Sequence, residues 1–206
     1  MFEWLRKFLG IQKITGNLYP WIERRLDGLD IPKNSRSLLS VSCHDVVIEH
    51  HVAVVTLFKA RIYGSAFTLV RPVFETFVRG VWLKNCASDA DLSKYKKDKL
   101  NFSFQTLLNE IEKTEAFKSK SLSALKEQAW DAMNSYVHGG IQQISRRLSD
   151  GEISPDFLEQ EIQEVLKLSQ TFALLSFIQI AGEAKREDLA QEALELLYKL
   201  ELFKKK

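Results

Sequence analysis

Two long stretches, residues 35–61 and 65–87, are apolar on nearly every side of a helical wheel, and only the corner Tyr63-Gly64-Ser65 lies between them. In the first, Val41, Val46, Val47, Ile48, Val52, Val54, Val55, Leu57 and Phe58 spread round the circumference. In the second, Phe67, Val70, Val73, Phe74, Phe77, Val78, Val81 and Trp82 do the same. A helix that is apolar all round is a buried central helix. The β-branched content does not make these runs strands, because each is far too long for one and neither alternates. Two long helices joined by so short a turn lie antiparallel, with Gly64 ending one and Ser65 opening the next. The chain is therefore expected to fold as a single all-α domain, a helical bundle around a long antiparallel helix pair.

The remaining segments read as helices packed on that pair. Residues 1–33 hold two short pieces, Phe2–Leu9 and one beginning near Pro20, with a break at Asp30–Pro32. Asn34 or Ser35 can cap the first central helix. Residues 88–150 contain helical pieces near 89–98 and 102–114. A helix then opens at Ser121 or Ser123 and stops at His138-Gly139-Gly140. In 154–206, Ser154-Pro155-Asp156 has the form of a helix start, with a cap, a first-turn proline and an early acid. That helix is expected to run to about Gly182, with a last one over roughly 187–203. Nine glycines and four prolines in 206 residues are too few for a β-sandwich, which turns every ten residues or so.

Charge and motif content narrow the function classes. The 29 basic residues nearly balance 27 acidic ones, so there is no global basic field for non-specific nucleic-acid binding. Cys43 and Cys86 sit in apolar helical stretches and are expected as reduced thiols. The N-terminus lacks a signal-peptide pattern and no eighteen-residue window is free of charge, so no membrane span and a cytoplasmic location are expected. Phe2, Leu5, Phe8 and Leu9 beside Arg6, Lys7 and Lys13 have the look of a small membrane-surface helix, but packing onto the bundle or a second subunit is the expected use. Phe203-Lys204-Lys205-Lys206 reads as a solvated helix end. His44 and His51 are seven apart, ~10 Å along a helix, too far to share one metal. There is no Glu-x-x-His pair, Gly-x-Ser-x-Gly, phosphate-binding Gly-rich loop or Cys-x-x-Cys, and neither a metal nor a cofactor is expected.

Two segments carry candidate chemistry. In Arg71-Pro72-Val73-Phe74-Glu75-Thr76-Phe77-Val78-Arg79, the charged residues stand at i, i+4 and i+8 and form one ladder. On the wheel this ladder borders the apolar face, and Pro72 can kink the helix beneath it. The structural alternative is an internal ion pair that fixes helix docking. In the second segment, Tyr136-Val137-His138-Gly139-Gly140 is followed by Gln143, Arg146 and Arg147. His138-Gly139 is a natural helix stop. A histidine there could also meet Glu75 across the bundle, in proton transfer or phosphate binding.

On these residues the chain resembles an uncharacterised family of bacterial helical proteins. The matching stretches are Tyr63-Gly64-Ser65-Ala66, Arg71-Pro72-x-x-Glu75, Arg79-Gly80-x-Trp82-Leu83 and Tyr136-x-His138-x-Gly140 with Gln143. The likeness covers about residues 35–150 strongly and the ends weakly. It is distantly similar to HEPN-type helical bundles, which implies a setting in toxin–antitoxin or phage-defence loci. Active ribonucleases of that superfamily carry Arg followed by His after four to six residues. Here the nearest case is Arg36 to His44, with seven between, so the likeness fails at the residues an active ribonuclease needs.

Two readings follow. One is a non-catalytic module that binds a partner protein or a small anionic ligand. The other is a nuclease or phosphate-ester hydrolase with Glu75 and His138 as catalytic acid and base. In either, Arg71, Arg79, Tyr136, Gln143, Arg146 and Arg147 are the candidate ligand-binding residues. Homo-oligomerisation is expected for both, because a second subunit can cover part of an all-round apolar helix.

Overall fold

The computed structural model describes residues 18–149 and 152–199. The Phe2–Leu9 and Phe203–Lys206 readings fall outside them. The chain is all-α, as its hydrophobic pattern predicts. A helix over residues 18–26 (α1) is followed by the long α2 (Ser35–Lys59), α3 (Tyr63–Thr68), α4 (Val70–Asn85), α5 (Asp89–Lys96) and α6 (Phe104–Ile111). Then come α7 (Ser121–Val137), the one-turn α8 (Ile141–Ile144), the long α9 (Glu159–Glu183) and α10 (Glu187–Lys199). A two-residue antiparallel pairing of β1 (Leu148–Ser149) with β2 (Glu152–Ile153) closes the loop between α8 and α9, with Leu148 opposite Ile153.

The expected antiparallel pair forms, with two corrections. The corner is at Ala60-Arg61-Ile62 rather than at Gly64. Arg61 takes the left-handed backbone (φ 61°) that ends α2, while Gly64 and Ser65 lie inside α3. The second helix is also broken at Leu69, into α3 and α4. Pro72 accounts for the break, because it has no N–H for the Thr68 carbonyl and its ring crowds that oxygen. As the third residue of α4, Pro72 occupies a position where no intrahelical donor is needed.

The core has three layers of contact. α4 supplies Phe74, Phe77, Val78, Val81, Trp82 and Leu83, all essentially solvent-free. α2 packs on it most closely at Gly80. A Cβ there would fall 2.9 Å from the His44 ring and 3.0 Å from Cys43 Cβ, and the Ser40 hydroxyl donates to the Gly80 carbonyl at 2.9 Å. α9 packs on both helices, with Phe172 against Phe74 and Phe77 of α4 and with Ala173, Phe177 and Ile180 in a cluster with Ile48 of α2. By length and composition both α2 and α9 are apolar enough to cross a membrane, yet here they pack together within the bundle, with 44% and 61% of their apolar windows buried. At the far end α1 and α10 close on α9 through Ile22, Leu189 and Leu197.

The α2–α9 seam carries the two buried histidines. His44 Nδ1 lies 3.2 Å from Ser176 Oγ, and His51 Nδ1 lies 3.0 Å from Ser169 Oγ. Seven residues separate the histidines and seven separate the serines, so two antiparallel helices bring both pairs into register at once. Ser169 already donates to the Leu166 carbonyl (3.1 Å), so His51 donates from Nδ1. Among the described residues, neither Nε2 has a partner. Burial pushes His44 down to about 3 and His51 down to about 4, so both rings are neutral. Cys43 is buried, Cys86 half-buried, and both are free thiols.

Other expected features move by a few residues for identifiable reasons. Asn34 caps α2, its Oδ1 accepting from Ser37 N–H at 3.0 Å. Ser154-Pro155-Asp156 does not start a helix. Asp156 N–H is held by the Arg146 carbonyl (2.8 Å), and Phe157 packs its ring on Tyr63 and Phe67. α9 begins only at Glu159, with the Glu161 carboxylate reaching back to Leu158 N–H at 3.0 Å. Arg36 caps the end of α4, donating to the Leu83 and Ala87 carbonyls at 3.0 and 2.6 Å and pairing with Asp89. It is thereby committed to a structural role two turns away from buried His44.

Candidate functional site

The site is built where the end of α7 meets the α3–α4 break. α7 is anchored at its start, where the Glu112 carboxylate accepts from Ser123 N–H (2.8 Å) and Ser123 Oγ–H (2.6 Å). Its other end follows the expected stop signal. His138 is the C-cap, and Gly139 takes the left-handed backbone at φ 64°. Gly140 N–H then donates to the Ser135 carbonyl at 2.6 Å. A Cβ on Gly140 would lie 2.5 Å from Ser135 Oγ, so only glycine allows the chain to turn this tightly into α8. Gln143 then reaches Thr68, with its Nε2 3.4 Å from Thr68 Oγ1. The Thr68 hydroxyl donates to the Gly64 carbonyl at 3.0 Å, with the Tyr136 carbonyl at 3.3 Å as its alternative acceptor. These bonds sew α7 and α8 to α3.

Arg71, in the first turn of α4 after the break, is held from three directions. Its Nε donates to Glu75 Oε1 at 2.9 Å, and its Nη1 lies 3.1 Å from His138 Nε2. Its guanidinium carbon sits over the Trp130 ring, 4.9 Å from the centroid. An arginine has only donors, so His138 accepts at Nε2 and carries its proton on Nδ1. Glu75 and His138 therefore lie on one side of the molecule and share one guanidinium. Arg71 and Glu75 side chains are 21% and 25% exposed, while His138 is exposed. Lys126 Nζ lies over the same indole at 5.3 Å and donates to Gln105 Oε1 at 2.8 Å. Phe104 stacks on Trp130 at 4.8 Å and 8°.

Arg79 does not belong to this cluster. Each four-residue step turns the stripe by ~40° on the wheel, and two steps carry Arg79 off the Arg71 face. It faces Cys43 and Tyr95 instead, whose Sγ and Oη lie 3.6 Å apart. Burial is the chief cause that raises both groups, and the Arg79 charge offsets it in part. The expected three-residue ladder is thus a two-residue pair.

Residues 44–201 match DUF6988, a family of unknown function. The chain belongs to the DUF6988 family. No curated protein and no solved structure matches it. The matched region of this DUF6988 chain takes in the whole junction from α3 to α9, and leaves out α1 and the start of α2 with Arg36.

The other candidates in this DUF6988 chain make contacts of their own outside the Arg71 cluster. Arg146 pairs with Glu161 on α9, and its guanidinium carbon is 6.0 Å from the centre of the Phe157 ring. Arg147 is exposed and passes over Gly64. Tyr136 is buried, and burial raises its hydroxyl above the ordinary value. Sequence reasoning missed Trp130 and Lys126. The available signal was their i, i+4 spacing on α7 beside the apolar stripe Leu122, Leu125, Ala129 and Met133.

Proposed function

We propose that the chain is a non-catalytic binding module whose site, at the end of α7, takes the anionic group of a small ligand or partner. The observation that carries this reading is that Arg71 and Lys126 both lie over one indole, Trp130, while Glu75 is the only acid in ion-pair contact with either among the described residues. Two cations drawn together with incomplete neutralisation attract an anion. Glu75, His138 and Trp130 hold Arg71 in one orientation, which lowers the ordering cost of binding. With Nε2 taken by Arg71, the second ring nitrogen of exposed His138 is its remaining donor.

A second reading is phosphate-ester hydrolysis, with Glu75 as base and His138 as acid. It is favoured by their shared contact with Arg71. One variant separates the two. Under the binding reading, Glu75→Gln removes the carboxylate that competes with the ligand and tightens inorganic pyrophosphate in calorimetric titration. Under the hydrolytic reading it abolishes turnover of a chromogenic phosphodiester. Turnover in the wild type that disappears in Glu75→Gln would overturn the binding reading. Self-association is the remaining expectation. Ile141, Leu148, Ile153 and Leu158 are exposed on the segment after α7, and sedimentation at two concentrations tests whether a second copy covers them.

A further inference from the structure

A cleft of about 390 Å³ lies between α7 and α9 and shares no lining residue with the Arg71 cluster. Phe67 and Val70 form its floor, Ala129 and Met133 one wall, and Val165 and Leu168 the other. The cleft exists because α7 leans on α3 and α4 and stands off α9. Only Leu122, Met133 and Tyr136 of its seventeen residues are buried. Its volume lies within the ~300–1,000 Å³ of ordinary ligand pockets and well above the ~150 Å³ that admits benzene.

The mouth is polar and its charge is unbalanced. Arg146, Glu161 and Glu164 line it, and Arg146 and Glu161 neutralise one another as an ion pair. Glu164 takes a hydrogen bond from Gln160 Nε2 (2.9 Å) but has no cationic partner among the described residues. One negative charge is left over at the end of an apolar cleft. Tyr136, its ring centre 5.0 Å from that of Phe67, lines the cleft together with Arg146. A carboxylate in the same place would have to displace Glu161 from Arg146 and would still face Glu164.

We propose that this cleft binds a small amphipathic amine, with its alkyl or aryl body between α7 and α9 and its ammonium group at Glu164. The proposal does not depend on the anion site at Trp130. The test compares octylamine, octanol and octanoate by calorimetry on the full chain, in the wild type, Glu164→Gln and Ala129→Trp. Octylamine is expected to bind one to one and most tightly. Glu164→Gln should weaken octylamine about five- to tenfold and leave octanol unchanged. Ala129→Trp should remove both by filling the cleft. A second readout needs no variant. The chain has two methionines, Met1 and Met133, so the Met133 methyl resonance should shift on titration with octylamine. An unmoved Met133 methyl, tighter binding of octanoate, or full octylamine affinity in Glu164→Gln would overturn the proposal.

Discussion

His44 and His51 on α2 and His138 at the end of α7 are the same residue type in opposite settings. The first two sit in a closed seam, each facing one serine on α9, with the second ring nitrogen unpartnered among the described residues and the ring held neutral by burial. His138 is exposed and accepts from Arg71 at Nε2. Ser169 and Ser176 supply the seam's hydroxyls, and Val47, Ile48, Val54, Phe172, Ala173 and Phe177 are buried on the same two helices. Around the junction stand Arg71, Glu75, Lys126 and Trp130. A buried histidine pair in heptad register fits a role in aligning two helices, whereas the cluster at the open helix end is the site for which anion binding is proposed.

The largest expected effect lies in the seam. Both histidines are depressed in the folded chain, so between about pH 4 and 6.5 the unfolded chain binds protons that the folded one does not. Their neutral state supports the fold fully above about pH 6.5, and that support is lost as pH falls through this window. Denaturant unfolding should show a loss of roughly 4 kcal/mol between pH 7 and pH 5 from the two together. Stability unchanged over that range would mean the seam admits water or a counter-charge.

The next effect tests the closest helix contact. Gly80→Ala places a methyl against the His44 ring, and overpacking of this kind costs about 1–3 kcal/mol. An unchanged unfolding midpoint would break the claim that α2 and α4 meet there without slack. At the junction the stability effects should be smaller. His138→Ala removes an exposed acceptor of Arg71 and should cost under ~1 kcal/mol, as exposed polar contacts usually do. Lys126→Ala should be smaller still in stability while weakening anion binding about three- to tenfold, which titration with pyrophosphate would record.

Much of the fold was legible in the sequence because apolar periodicity is local. The all-round apolar runs identify α2 and α4, and the Asn34 cap and the Gly139 stop fall where their chemistry places them. The misplacements have tertiary causes. Arg61, a non-glycine, takes the left-handed corner, and Gly64 lies inside α3, where a Cβ would make only ordinary contact with Arg147 and Gln143. Ser154-Pro155-Asp156 carries local start signals, but Phe157 gains more by packing on Tyr63 and Phe67 than a helical turn would give. The site was legible in part. Arg71, Glu75 and His138 do come together, although Arg79 rotates away. The partners that complete the cluster, Lys126 and Trp130, arrive from α7, 55 and 59 residues after Arg71. No local pattern links them to Arg71.

Calorimetric titration of inorganic pyrophosphate into the wild type and Arg71→Ala, with unfolding midpoints of both, tests the central claim most directly. The account predicts saturable binding in the wild type, a loss of at least about tenfold in Arg71→Ala, and a stability change within ~1 kcal/mol. Equal affinity in the two proteins, or a loss of several kcal/mol of stability in Arg71→Ala, would place Arg71 among the structural ion pairs and contradict it.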